Sequence, residues 1–276
     1  MNKVHKNGRF GLPTTLAAGL ALAMAFTLSA CGGDGGGGNG DEAPPSSSSG
    51  NGSLSSSSSG GGALSSSSQP PPKCGNVEYI PADELCDERG EKKLYKYVEI
   101  DGQNWMAENL NFNATGSRCY GDNTGGDSEG NCAEYGRLYG WNTAMGGAAS
   151  SDANPSGVQG VCPSGWHLPS NAEWQTLIDF AGGDEIAGTK LKSTSGWHID
   201  DYYIPGTDGY GFSALPGGLG DSGGDFNNAG YDGFWWSASE YNSDYAYGMD
   251  VSYNIEDAGY NGDSKDVLYS VRCLQD

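Results

Sequence analysis

Two groups of side chains have the types and spacing to do chemistry. The first is a glycine-rich loop carrying Asp122, Asn123, Asp127, Glu129 and Asn131. Hard cations are held by about six to eight oxygens, so calcium is the cofactor this loop could take, with Asp122, Asp127, Glu129 and Asn131 as candidate ligands. The spacing departs from an EF-hand, which needs a glycine and a closing glutamate at fixed positions. A solvated acidic turn accounts for the same residues. The second group is aromatic. Trp235 and Trp236 are adjacent, so on a strand they must point to opposite faces. One can enter the core while the other faces out or lies under a loop. Trp236, with Tyr241, Asn242 and Asp244 shortly after it, is the candidate ligand-binding set, and Tyr231, Tyr245 and Tyr247 lie in the same stretch. Sugar rings bind by stacking on aromatic faces and by hydrogen bonds to amides and carboxylates. Loop packing is the competing reading.

Signals for catalysis are weaker. Gly220-Asp221-Ser222-Gly223-Gly224 is spelled like a serine-protease nucleophile segment. Such an enzyme also needs a general base and an acid to orient it. His167 and His198 are the histidines of this region, neither stands in that setting, and Asp225 follows the segment. It reads as an acidic turn. Carboxylates are so plentiful that no glycosidase pair stands out. Neither a Walker loop nor a His-Glu-x-x-His motif occurs. A non-catalytic protein is the expectation.

The elements that must position these residues begin with an export signal. Lys3, Lys6 and Arg9 precede an apolar run over residues 16–28, which is too short to span a bilayer comfortably. It ends in Leu28-Ser29-Ala30-Cys31, the pattern that lipoprotein signal peptidase cuts. The expectation is a signal peptide over residues 1–30 and a lipid bilayer partner reached through acylated Cys31. Gly32, in place of an aspartate, favours the outer membrane and the cell surface. Residues 31–73 are mostly Gly, Ser and Pro, a composition that cannot bury apolar surface, and they read as a spacer.

Six further cysteines, Cys74, Cys86, Cys119, Cys132, Cys162 and Cys273, form an even set in an exported chain and point to disulfides. About 15 pairings are open to six cysteines. Proximity favours Cys74–Cys86 and Cys119–Cys132, leaving Cys162–Cys273. A thiolate metal site would want a CxxC pair, and none is present.

The chain carries 14 basic and 35 acidic residues, a net charge of −21, and three of the basic residues belong to the export signal. Such a surface repels nucleic acid and anionic membrane. Divalent cations, polysaccharide or an envelope protein remain as partners. Along the domain, Lys93–Ile100 and Gln103–Met106 read as strands of a hairpin turning at Asp101-Gly102. Ser170 and Glu173 form a capping box, after which Trp174, Leu177, Ile178 and Ala181 recur at helical spacing until Gly182-Gly183. A weaker helix is predicted over residues 184–192, and strand-like pieces over 233–237, 245–251 and 267–273. The pattern predicts an α+β domain rich in loops.

Several phrases occur together in order: Trp105-Met106-Ala107-Glu108-Asn109-Leu110-Asn111, Tyr135-Gly136-Arg137-Leu138-Tyr139-Gly140-Trp141, Cys162-Pro163-Ser164-Gly165-Trp166-His167-Leu168-Pro169-Ser170, Gly211-Phe212-Ser213-Ala214-Leu215-Pro216-Gly217-Gly218, Phe234-Trp235-Trp236-Ser237 and Ser270-Val271-Arg272-Cys273. From about Leu94 to the C-terminus the chain resembles the Fibrobacter succinogenes major paralogous domain. The resemblance implies a C-type-lectin-like fold, with a small curled antiparallel sheet, two helices and long loops. It also implies an exported or surface-attached protein, and it brings no agreed activity. The expected organisation is therefore a signal peptide, the linker, a short disulfide-closed extension over 74–92 and the domain over 93–276. The expected function is a surface lipoprotein binding carbohydrate or another extracellular ligand. The alternatives are an envelope assembly lipoprotein recognised by protein partners and, behind it, a polysaccharide-active enzyme.

Overall fold

The computed structural model describes residues 73–77, 80–122 and 129–276. The expected signal peptide, Cys31, nearly all of the linker and Asp127 lie outside the described residues. None of the described helices is long and apolar enough to cross a membrane.

Two curled sheets organise the domain. The chain enters through β1 (Glu84–Asp87), β2 (Lys93–Ile100) and β3 (Gln103–Met106). Two short helices follow, α1 (Glu129–Tyr135) and α2 (Trp141–Met145), separated by β4 (Tyr139–Gly140). Then come β5 (Trp166–His167), α3 (Asn171–Phe180) and α4 (Asp184–Leu191). The C-terminal part contributes β6 (Gly217–Gly220), β7 (Phe226–Ala229), β8 (Asp232–Glu240), β9 (Tyr245–Ser252), β10 (Ala258–Ser264), β11 (Leu268–Tyr269) and β12 (Leu274–Gln275). The first sheet has the order β1-β2-β3-β12-β5; the second runs β10-β9-β8-β6-β11-β4, with β7 paired to β6. Pairing is antiparallel except between β6 and β8. The segment 74–92 is joined to the domain, because β1 pairs with β2 as the edge strand of the first sheet.

Local sequence explains the clearest elements. The hairpin turns at Asp101, whose φ of 52° and the φ of 73° at Gly102 are the left-handed geometry that such turns require. In α3 the Ser170 side chain accepts from the Glu173 N–H while the Glu173 carboxylate accepts from Ser170 N–H, which closes the capping box. Three disulfides join Cys74–Cys86, Cys119–Cys132 and Cys162–Cys273. The last ties β12 to the segment before β5 across 111 residues.

The expectation that one of Trp235 and Trp236 would be free is corrected. Both are fully buried. They do point to opposite faces, and β8 is covered on each. Trp235 packs with Trp105, Trp174 and Phe212 beneath α3 and α4. Trp236 enters a second core with Tyr139, Trp141 and Tyr269. Each indole finds a polar partner, Nε1 of Trp236 donating to the Tyr139 carbonyl at 2.6 Å and Nε1 of Trp235 to Asn109 Oδ1 at 2.8 Å. Aromatic rings bury more area than other side chains, so a central strand with two wide faces recruits both.

Candidate ligand-binding site

The β8–β9 turn places the remaining candidate residues. Asn242 Oδ1 accepts from the backbone N–H groups of Asp244 at 2.9 Å and Tyr245 at 3.0 Å. Asn242 is thus committed to an Asx-type turn. Asp244 is exposed beside it. Trp236 is removed from the site by its burial, and the structure does not bring it together with Tyr241, Asn242 and Asp244 on one surface.

Tyr241 instead joins a ring ladder. It stands edge-on to Tyr247 at 5.4 Å between centroids, and Tyr247 stands edge-on to Tyr260 at 5.9 Å. Gly262 lies opposite Tyr247 in the β9–β10 register, and a Cβ there would meet the Tyr241 ring at 3.1 Å. The glycine makes room for the ring to lie across the sheet. Tyr241 is 56 % exposed and Tyr260 40 %. Desolvation, then the neighbouring Tyr241, Tyr260 and Asp152, raises the Tyr247 pKa above the usual phenol value, so its hydroxyl stays a neutral donor and acceptor. Tyr260 was missed in the sequence because Ala258–Ser264 has no apolar alternation; the small residues flanking the tyrosine are its one local sign.

The acidic loop is only partly within the described residues. Asp122 is buried, and its N–H donates to the Cys119 carbonyl. Asn131 turns its amide onto the Tyr120 carbonyl at 2.7 Å. Glu129 opens α1. Among the described residues there is no cluster of three or more side chains able to hold a metal. The segment spelled Gly220 to Gly224 is the turn joining β6 to β7, where Asp221 Oδ1 accepts from the N–H groups of Gly223 at 2.9 Å and Asp225 at 3.0 Å. The histidines stand elsewhere in structural contacts: His167 bonds to Glu173 and Asp276, and His198 is stacked on Tyr231.

A second concavity was not anticipated from the sequence. A cleft of about 520 Å³ opens between the β1–β2 connection and the wall built by the Cys119–Cys132 disulfide. Arg89 stands in its lining, forked onto Asp87 by Nε at 2.8 Å and Nη2 at 2.7 Å, with its guanidinium 4.0 Å from the centre of the Phe112 ring. Lys93 lies over the Tyr95 ring at 4.6 Å. The spelling Asp87-Glu88-Arg89-Gly90 reads as a solvated turn, which is why the sequence concealed it.

A curled, disulfide-held α+β domain with exposed aromatics defines an extracellular module. Residues 98–275 match the family model of the Fibrobacter succinogenes major domain, and the chain belongs to that family. No curated protein and no solved structure matches the chain.

Proposed function

We propose that this protein is a surface lipoprotein, anchored through acylated Cys31, whose domain is a non-catalytic module binding carbohydrate. The observation that carries the reading is the exposed Tyr241–Tyr247–Tyr260 ladder on the edge strands of the second sheet. Its rings offer apolar faces and phenol hydroxyls together, the combination that a sugar ring uses. The prevailing negative charge disfavours nucleic acid on this surface and leaves neutral polysaccharide acceptable. We read the curled sheets, the two longer helices and the long connection between α4 and β6 as a C-type-lectin-like arrangement.

Retention of full-length protein, purified in detergent, on insoluble cellulose, xylan and mannan tests this reading. Stacking contributes about 1 kcal/mol per ring, so Tyr241→Ala/Tyr260→Ala should weaken retention by roughly 10- to 30-fold. No retention of the parent on any polysaccharide, or equal retention of the variant, would sink the carbohydrate assignment. Membrane fractionation of Cys31→Ala tests the anchor separately, with movement to the soluble fraction expected. The second reading, an envelope assembly lipoprotein, draws on Ile199 and Tyr202, which are 76 % and 73 % exposed on the connection between α4 and β6. Cross-linking in cells that is lost with Ile199→Ser/Tyr202→Ser would favour it.

A further inference from the structure

We propose that the cleft beside Arg89 is a separate binding site for a carboxylated sugar of the uronate type. Charge is distributed unevenly over this acidic chain. Four basic residues, Arg89, Lys92, Lys93 and Arg137, line the cleft, against two acids, Asp87 and Glu91. Asp87 does not oppose an incoming anion freely. It is 3 % exposed, and both its carboxylate oxygens accept from Arg89. The long-range field of the whole protein is screened beyond about 8 Å at physiological salt, so the lining decides the sign that a bound group meets.

The cationic groups are held in place before any ligand arrives. Arg89 is fixed by its fork onto Asp87, by Nη1 donating to the Val161 carbonyl at 2.9 Å, and by the Phe112 face. Arg137 is buried in the wall, its Nε donating to Ser117 Oγ at 2.9 Å and its Nη1 lying 3.7 Å from each sulfur of the Cys119–Cys132 disulfide. Lys92 is exposed and sits at a φ of 56°, a left-handed conformation that lysine rarely adopts. That geometry fixes where its side chain leaves the rim.

The remaining lining suits a hydroxylated ring. Asn111 and Asn113 supply amides that both donate and accept, and Phe112 and Tyr95 supply ring edges and faces. The volume lies within the range of small-ligand clefts, about 300–1,000 Å³. An excess of two positive charges matches one or two carboxylates. A phosphate dianion would sit less well between Glu91 and the Asp87 pair. The site is remote in sequence from the tyrosine ladder and does not depend on it.

Calorimetric titration of full-length protein in detergent with digalacturonate and diglucuronate, beside the matching neutral disaccharides, tests the proposal. One acidic disaccharide should bind with a single-site isotherm at least about 10-fold tighter than its neutral counterpart. Lys92→Asn, which keeps a residue tolerant of the left-handed backbone, should weaken that binding about 5-fold, and Lys92→Glu more than 10-fold. Urea unfolding of both variants should match the parent. Tyr241→Ala/Tyr260→Ala should leave uronate binding intact, which separates failure of this site from failure of the ladder. Absence of binding by both acidic probes, equal affinity for the neutral sugars, or unaltered affinity in both Lys92 variants would overturn it.

Discussion

Asn109 Oδ1 and the Arg272 guanidinium meet across 163 residues of chain, with Arg272 Nη2 donating at 2.8 Å and Nε at 3.2 Å. The same oxygen accepts from Trp235 Nε1. Arg272 is fully buried, and its other donors go to the carbonyls of Phe212 and Ser213. Burial pushes its pKa down to about 9, against a partial pull upward from Asp208 and Glu108. The Asn109 amide nitrogen donates to the Tyr135 carbonyl and to Ser270 Oγ. One side chain therefore ties together the segments around residues 109, 135, 235 and 270.

That tie predicts a large effect from a small change. Asn109→Leu leaves a buried guanidinium without its principal acceptor, and orphaning a buried charge costs about 3–5 kcal/mol. Asn109→Asp keeps the acceptor and loses only the two amide donations, so it should cost clearly less. Urea unfolding of the two variants checks the order. If leucine were tolerated as well as aspartate, Asn109 would not be the anchor of Arg272.

Elements with strong local physics were legible in the sequence. The capping box at Ser170 and Glu173 marks a helix start wherever the chain is placed, and Asp101-Gly102 favours a tight turn for the same reason. The disulfide pairing followed from proximity, leaving Cys162 and Cys273 for each other. The ligand surface was legible only in part. Tyr241 was visible as an aromatic beside polar residues, but its partner Tyr260 sits on a strand of small and polar residues whose structure comes from pairing with β9. Trp236 was misplaced because alternation says that two neighbours face opposite ways, and does not say that both faces are covered. The cleft beside Arg89 depends on segments around residues 89, 112 and 137 meeting in space, which no local pattern encodes.

Gly188 offers a test in which propensity and packing disagree in sign. It lies inside α4, where replacing glycine by alanine ordinarily stabilises by about 1 kcal/mol. Here a Cβ would fall 2.0 Å from the Asp257 carbonyl oxygen and 2.7 Å from that of Glu256. Both contacts are backbone, and the Glu256 carbonyl is held by the Thr189 N–H at 3.0 Å. The helix and the start of β10 must separate to admit a methyl group. Gly188→Ala should destabilise by about 2–3 kcal/mol, the range of an overpacked core. A rise in melting temperature would show that the connection before β10 yields more readily than its hydrogen bond implies.

His167 supplies the pH dependence. Its ring is 2 % exposed and lies between two carboxylates, with Nε2 2.8 Å from Glu173 Oε1 and Nδ1 2.8 Å from Asp276 Oδ1. Burial alone would lower its pKa; the hydrogen bonds to Glu173 and Asp276, with their charges, outweigh that and raise it above 6.5. A raised pKa in the folded state means that the folded protein holds the proton more tightly than the unfolded chain. The stabilisation is therefore complete below the unfolded value of about 6.5 and is lost as pH rises through the folded value. The urea midpoint should fall between pH 6 and pH 8.5 in the parent. His167→Gln keeps a donor but carries no charge, so it should be less stable than the parent at pH 6, and the loss should narrow at pH 8.5. Glu173 also accepts from the N–H groups of Ser156 and Ser170, so the histidine, and not the glutamate, is the residue to change. A parent midpoint that rises over this interval, with the glutamine variant following the same curve, would place the charged pair outside the folding balance.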